Sequence, residues 1–408
     1  MNCRHCCKPL QHNFLDLGFA PPSNAYLTES ELSAPEIYFP LKLKVCDNCW
    51  LVQTEDYAQA ELFFSKDYAY FSSTSTSWLT HAAVYSKDMI KRLALGTESF
   101  VIEVASNDGY LLKNFVAADI PCLGVEPTAS TAAAAEKLGI PVVREFFGQA
   151  LGNRLAEEGR QADLIAGNNV FAHVPNINDF TLGLKAALKS GGTITLEFPH
   201  LKQMIEHTQF DTVYHEHFSY LSLYTVTQIF AAAGLRVFDV EELPTHGGSL
   251  RVFGCHEFDS RQDSPNVECV LADELRFGLK DLDTYHEFQQ RADEVKNGLV
   301  SFLIEQKRAG KQVVAYGAAA KGNTLLNYAG VKPDLLSYVC DAAPSKQGKF
   351  LPGSHLPIYA PQKLAQTNPD IVIVLPWNIA KEVLEQNRAL QENGTTFVVA
   401  VPVMRSLL

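Results

Sequence analysis

Four short apolar runs separated by helical stretches dominate the middle of this sequence: FVIEV (100–104), PCLGVE (121–126), ADLIAGNNV (162–170) and GTITLEF (192–198). Alternation of this kind predicts parallel strands flanked by helices. Between the third and fourth runs lies DFTLGLKAALKS, for which Asn178 is a suitable N-cap and the Gly191-Gly192 pair a stop. A long stretch over 267–308 reads as helix, and the alternation then resumes with KQVVAYG (311–317), DLLSYVCD (334–341), IVIVLPW (371–377) and FVVAVP (397–402). These later runs are nearly continuous Val, Ile and Leu, as expected of parallel strands covered on both faces. The pattern predicts an α/β protein with two doubly wound Rossmann-like lobes and mostly parallel sheets. Ahead of them, residues 1–62 are rich in Pro, Asn, Asp and Cys and lack long periodic runs, as in a small module held together by a metal. The expected divisions are 1–62, 63–250 and 251–408.

Composition narrows the partners. The chain has 408 residues, 47% hydrophobic and 20% charged, so it can bury more than one core and shows no like-charge block. A net charge of −12 argues against a nucleic-acid partner, whose binding draws on Lys and Arg against phosphates. The N-terminal stretch MNCRHCCKPLQHNF lacks a basic-then-apolar export pattern, and no run approaches the roughly 18 apolar residues that cross a bilayer. A cytoplasmic protein without a membrane partner is expected.

Five of the nine cysteines fall in the first 49 residues. Cys3-x-x-Cys6 and Cys46-x-x-Cys49 supply two thiolate pairs, and four sulfurs close a tetrahedral zinc site with no open position, so that the metal is structural. Cys7, beside Cys6, is the alternative ligand, and free or redox thiols are the competing reading. Cys122, Cys255, Cys269 and Cys340 stand singly in apolar sequence and read as core packing.

The first central strand ends in Glu103 and turns through Ala105-Ser106-Asn107-Asp108-Gly109; the second ends in Glu126, 23 residues on. An acid there, reaching ribose hydroxyls at the carboxyl ends of the strands, suits an adenosine cofactor. A dinucleotide needs G-x-G-x-x-G for its pyrophosphate, whereas this loop has Gly109 alone. S-adenosylmethionine carries no phosphate and tolerates such a loop, with Glu103 near its cationic amino-acid end. A nicotinamide cofactor is the alternative.

With EVASNDGYLL in place, the segments YAYFSSTSTSW (68–78), FDTVYHEHFSYLS (210–222) and THGGSLR (245–251) complete a resemblance. Together with YGAAAKGNTLLNY (316–328) and LPWNIAKEV (375–383), they resemble the nucleotide-diphosphate-sugar C-methyltransferases that build branched deoxysugars. The resemblance covers nearly the whole chain. It implies a zinc-binding module, an S-adenosylmethionine-binding domain and a second Rossmann-like domain, with a sugar nucleotide, most simply dTDP-linked, between the lobes. It further implies His217 as general base, Tyr214 and Glu216 as its neighbours, Tyr70 as an upstream active-site tyrosine, and His173 with Asn169 from an Asn-x-x-x-His segment. No role carries over to His215, and a monomer is expected. The first loop departs from the E/D-x-G-x-G-x-G form common in methyltransferases of this fold.

Methylation at carbon needs a carbon nucleophile, which a keto-sugar provides once a proton beside its carbonyl is removed. Histidine suits that proton, and Tyr70, Tyr214 or His173 are candidate donors to the developing oxyanion. Transfer to oxygen or nitrogen is the competing reaction. In the C-terminal lobe, Gly317-Ala-Ala-Ala-Lys321-Gly322-Asn323-Thr324 has Asn323 where a Walker A loop has lysine, yet a turn opening a helix beside Lys321 suits a diphosphate. His246, Gly247 and Arg251 lie where the lobes meet and are further candidates for substrate contact. Arg251 has an alternative partner in a carboxylate of the fold.

Overall fold

The structure, a computed structural model, describes residues 1–55 and 71–407. The N-terminal module is an antiparallel sheet of β1 (His12–Ala20), β2 (Phe39–Val45) and β3 (Val52–Thr54). The central lobe supplies β4 (Val101–Val104), β5 (Cys122–Val125), β6 (Val142–Val143), β7 (Ala162–Asn168), β8 (Leu188–Pro199), β9 (Ser219–Tyr220), β10 (Leu235–Leu243) and β11 (Ser249–His256). Seven of them form one sheet in the order β10-β11-β8-β7-β4-β5-β6. Its pairings are parallel except that β11 runs antiparallel between β8 and β10. The expected boundary at 250 cuts β11, which stays in the central sheet through His256. The eighth strand, β9, leaves that sheet and pairs with β3 of the N-terminal module.

The C-terminal lobe holds β12 (Val313–Tyr316), β13 (Val339–Cys340), β14 (Ile358–Tyr359), β15 (Ile371–Val374), β16 (Thr396–Val399) and β17 (Arg405–Leu407). They are ordered β14-β13-β12-β15-β16-β17, and only the last pairing is antiparallel. Every residue of β4, β5, β12 and β15 is buried, which is why these strands read as apolar runs, broken in β4 by the buried Glu103.

Three local readings change. Helix Ile177–Ala187 is capped by Asn176, whose side chain accepts from Asp179 N; Asn178 lies inside the first turn, and the helix ends before the glycines because β8 already begins at Leu188. Asn178 instead donates to the carbonyls of Arg4 and His5 at 3.3 and 2.9 Å, tying the first Cys pair to this helix. The long helix over 267–308 is three helices, Pro265–Phe277, Leu282–His286 and Phe288–Arg308. Gly278 breaks it at φ 96°, and the amides of Gly278 and Leu279 both turn back to Glu274 O. Cys269 is exposed on the first of these helices and packs no core, whereas Cys122, Cys255 and Cys340 are buried as expected.

The N-terminal module joins the lobes. Phe14 of β1 stacks on Phe288 at 4.7 Å and meets Tyr285 edge-on at 5.5 Å, within a core shared with the C-terminal sheet. Burying such a ring contributes about 1.5–3 kcal/mol. On its other side Cys3, Leu10, Cys46, Cys49 and Leu51 share a core with Leu221, Leu223 and the central sheet.

Candidate active site

Both Rossmann-like lobes open their loops onto one cavity of about 620 Å³. At its central-lobe end lies the turn after β4, in which Ala105, Asn107 and Gly109 have φ of 57, 48 and 80°; Ala105 and Asn107 line the cavity and Gly109 does not. A Cβ on Gly109 would also stand 2.5 Å from Ile140 Cδ1, so only glycine fits. Glu126 braces this turn: its carboxylate accepts from Asn107 N at 3.0 Å and Thr128 N at 2.8 Å. Asn107 and Asp108 accept in turn from the amides of Ser72 and Ser73, ahead of helix Thr76–Arg92.

Glu126, Asn107 and Asn169 line the cavity, as do Asn168, Trp78 and Phe147. Glu103 and Ser106 do not. Ser106 is wedged beneath Gly124, where a Cβ would stand 2.4 Å from its hydroxyl. Glu103 is buried under the loop; burial first, then Glu126 and Asp108, push its carboxyl well above the usual range. The amide of Asn168, at the end of β7, is buried on the cavity wall with no partner for either polar atom among the described residues. Buried amides are ordinarily hydrogen-bonded, so this one marks a ligand position. A carboxylate ready for donors, an unpartnered amide and a loop without a phosphate cradle fit the hydroxyls and amino-acid tail of S-adenosylmethionine.

The segment 210–222 forms the opposite wall. It is a short 3-10 turn, Phe210–Thr212, then an irregular turn, and becomes strand only at β9. His215 and His217 therefore do not share a strand face. His215 reaches outward to Phe39 O at 3.4 Å, while His217 Nδ1 donates to Thr212 O at 2.9 Å. A carbonyl only accepts, which fixes the proton on Nδ1 and leaves Nε2 of His217 as the basic nitrogen. The Tyr214 ring lies 3.9 Å from that of His217, and the His173 ring 4.5 Å. His173 Nδ1 likewise donates to Glu216 O at 2.9 Å, so neutral His173 accepts at Nε2 and is not a donor there.

Burial, with His173 as the next cause, holds His217 well below the ordinary histidine value; burial pushes His173 down to about 4. His246, at φ 54° on the THGG turn, accepts from Asn169 Nδ2 at 2.9 Å and is lowered to about 4, first by burial and then by Lys321. All three histidines line the cavity in the neutral form.

The C-terminal lobe contributes Lys321, in the first turn of helix Ala320–Tyr328, whose ammonium donates to Asn378 at 2.8 Å and lies 4.6 Å over the Trp377 ring. Trp377 Nε1 donates to buried Asp211 at 2.7 Å, joining the lobes. Gly247 permits this approach, since a Cβ there would meet Trp377 at 2.3 Å. Gly247 and Asn323 support the wall without lining it. Asn323 is buried, donating to Ser23 O at 3.4 Å, and its neighbour Thr324 holds Val213 O at 2.7 Å.

Arg251 turns to the fold. Its guanidinium bonds Glu197 at 2.8 Å and Glu241 at 3.2 Å and sits 4.7 Å over the Tyr85 ring, away from the cavity. Glu197 also takes His81 at 2.9 Å and Thr245 at 3.0 Å. Burial raises Glu197, but His81 and Arg251 together outweigh it and hold the carboxyl below its usual range.

The sulfur atoms of Cys3, Cys6, Cys46 and Cys49 lie within 4.8 Å of one another. Each pair sits in the same turn: Cys7 N donates to Cys3 O and Trp50 N to Cys46 O, with Cys7 and Trp50 at φ 60 and 62°. Cys7 itself is exposed and is not part of the cluster. Four clustered thiols fit a tetrahedral zinc ion.

Three family models match the chain: "Putative zinc binding domain" over residues 3–64, "Methyltransferase domain" over 78–240 and "C-methyltransferase C-terminal domain" over 244–402. C-methyltransferase NovU from Streptomyces niveus is 32% identical over 403 residues, covering 99% of this chain and 96% of that protein. The chain belongs to the S-adenosylmethionine-dependent C-methyltransferase family. Among solved structures, an S-adenosylmethionine-dependent methyltransferase from Anabaena variabilis is 15% identical with a TM-score of 0.36, covering 43% of this chain and 85% of that one. One from Clostridium acetobutylicum is 10% identical at 0.35, covering 43% and 91%.

For this C-methyltransferase, the methyl donor is S-adenosylmethionine and the four-Cys cluster is its zinc site. Membership decides against a nicotinamide cofactor and for carbon over oxygen or nitrogen. Of the candidate residues, Tyr70 lies outside the described ones. The structure brings His217, Tyr214, Glu216, His173, His246 and Lys321 to the same cavity as Glu126, Asn107 and Asn169. Asn168, Asp211, Asn24 and Tyr26 are not among those candidates. The first could have been found as the last residue of a strand; the others have no sequence signal, because their partners are distant in the chain. No helix among the described residues is long and apolar enough to cross a membrane.

Proposed function

We propose that the enzyme methylates a carbon beside the ketone of a nucleotide-diphosphate-linked keto-deoxysugar, the nucleotide being dTDP. The observation that carries this reading is His217, which lines a cavity that both lobes wall and whose Nδ1 is held by Thr212 O, leaving Nε2 as the basic nitrogen. His217 takes the proton beside the carbonyl, and the enolate carbon becomes the nucleophile. Tyr214, against the His217 ring, donates to the developing oxyanion, a role closed to His173 by its tautomer. When bound, S-adenosylmethionine supplies an electrophilic methyl on a sulfonium centre. Glu126 and Asn168 orient the cofactor from one end, while Lys321 and the helix start at Ala320 face the diphosphate at the other. Catalysis is then largely positioning, with the reacting carbons held at about 3–3.5 Å.

The test is solvent exchange. With S-adenosylhomocysteine bound, the wild type exchanges the proton beside the ketone of a dTDP-keto-deoxysugar for deuterium, and His217→Ala binds S-adenosylhomocysteine but does not exchange. Undiminished exchange in the variant removes His217 as the base. No exchange or methyl transfer by the wild type on any keto-sugar nucleotide removes the substrate class.

A further inference from the structure

The loop that leaves β1, residues 21–28 of the zinc-binding module, passes between the two lobes and touches both. Ser23 O takes the bond from Asn323, and Leu27 exchanges backbone hydrogen bonds with Phe350 at 3.0 and 2.8 Å. The Tyr26 hydroxyl donates to Ala318 O at 2.6 Å, just ahead of helix Ala320–Tyr328, and Lys346 lies 5.5 Å over its ring. Asn24 and Tyr26 line the same cavity as His217 and Glu216. The module thus supplies a third wall that neither Rossmann-like lobe provides.

At that wall Asn24 Nδ2 stands 2.9 Å from both carboxylate oxygens of Glu216. Glu216 is 2% exposed, precedes His217 directly, and its carbonyl holds His173. An amide nitrogen set equally between two carboxylate oxygens fixes the carboxylate plane, and a charge-assisted bond of this kind is roughly twice as strong as a neutral one. The bond reaches from residue 24 to residue 216, so this side-chain pair joins a loop of the zinc-binding module to the catalytic segment.

We infer that Asn24 is a positioning residue, orienting the Glu216 carboxylate toward a hydroxyl of the sugar ring next to the carbon that His217 deprotonates. The hydroxyl's identity rests on the keto-sugar reading; the Asn24–Glu216 brace does not. Through it the zinc-binding module becomes part of the catalytic apparatus.

Asn24→Ala and Asn24→Asp test this in the zinc-loaded full chain. Asn24→Ala lowers kcat at least about tenfold, the loss of a bond worth about 1.4 kcal/mol. S-adenosylhomocysteine affinity, KM for S-adenosylmethionine and zinc content stay at wild-type values. Asn24→Asp sets two carboxylates at one place, and such a pair shares a proton, so its pH–rate profile moves to acid. The other titratable groups at this corner, Tyr26, Tyr214, His173, His217, Lys321 and Lys346, with Asp341 behind Tyr26, are common to both proteins. The stability deficit of Asn24→Asp against wild type, read by urea midpoints, shrinks from pH 7 to pH 5. A kcat for Asn24→Ala within about twofold of wild type, or superimposable pH profiles, overturns the inference. Should the wild type not methylate keto-sugar nucleotides, the substrate reading falls separately, and a stability gap that ignores pH still overturns the brace.

Discussion

Glu126 and Asp341 make the same pair of backbone hydrogen bonds in two different sheets. Each directly follows the second strand of its lobe and accepts from the loop after the first strand, Asn107 N at 3.0 Å and Ala318 N at 2.7 Å. Each also accepts from the amide two residues on, Thr128 N and Ala343 N, both at 2.8 Å. The environments differ: Glu126 lines the cavity, whereas Asp341 is backed by Lys346 at 3.4 Å.

Glu126→Ala is expected to weaken S-adenosylhomocysteine binding about tenfold to hundredfold, since hydrogen bonds to a charged group contribute about 1.5–3 kcal/mol. Asp341→Ala, in the other lobe, leaves that affinity within about twofold and weakens sugar-nucleotide binding. Titration calorimetry of both variants with both ligands distinguishes them. Equal loss of S-adenosylhomocysteine affinity in the two would contradict a division of ligands between lobes.

Arg251→Ala is expected to act on stability and not on substrate. Removing the guanidinium leaves Glu197, which is fully buried, without its cation, and breaking a buried pair costs about 3–5 kcal/mol. Denaturant unfolding should report that loss, while the KM for sugar nucleotide of the surviving folded fraction stays at the wild-type value. A raised KM with unchanged stability would return Arg251 to the substrate.

Stability is expected to fall on acidification from about pH 6.5, the unfolded histidine value, toward about pH 4. His173, His217 and His246 are all lowered by burial, the first and last to about 4, so the unfolded chain binds more protons than the folded one throughout that window. Stability is therefore fully present above the window and is lost as pH drops, by at most about 1.4 kcal/mol per pH unit for each histidine. Urea midpoints at pH 7 and pH 5 measure this, and His246→Gln should flatten the slope. A midpoint that does not move would show these histidines to be solvated.

Cys46→Ser is expected to lose the zinc and with it the N-terminal module, whereas Cys7→Ser keeps about one zinc per chain. Cys46 is buried in the four-sulfur cluster and Cys7 is exposed outside it. Metal analysis and thermal unfolding check both variants. Activity should fall with zinc content, because the same module carries Asn24 and Tyr26 into the cavity. Full activity in zinc-free protein would separate the module from catalysis.

The sequence by itself determined the elements whose signal is local. Parallel strands buried on both faces are predominantly apolar, so 100–104 and 371–377 announce themselves, and Cys-x-x-Cys spacing is set by one turn of backbone around one ion. The family motifs located the Tyr214-to-His217 segment and the loop to Gly109. Tertiary structure decided what depends on a partner far along the chain. Asn178 looks like a cap yet straps the Cys3 turn, because Asn176 two residues earlier already holds the cap geometry. The run over 267–308 keeps a helical pattern across Gly278, but the left-handed turn there is favoured by bonds that close back on Glu274. Arg251 has two carboxylates only because β8 and β10 flank β11, and Asn24 reaches Glu216 only because β1 and β3 carry the module against both lobes. Apolar periodicity records which face of an element is buried; it carries no record of which polar side chain will stand opposite.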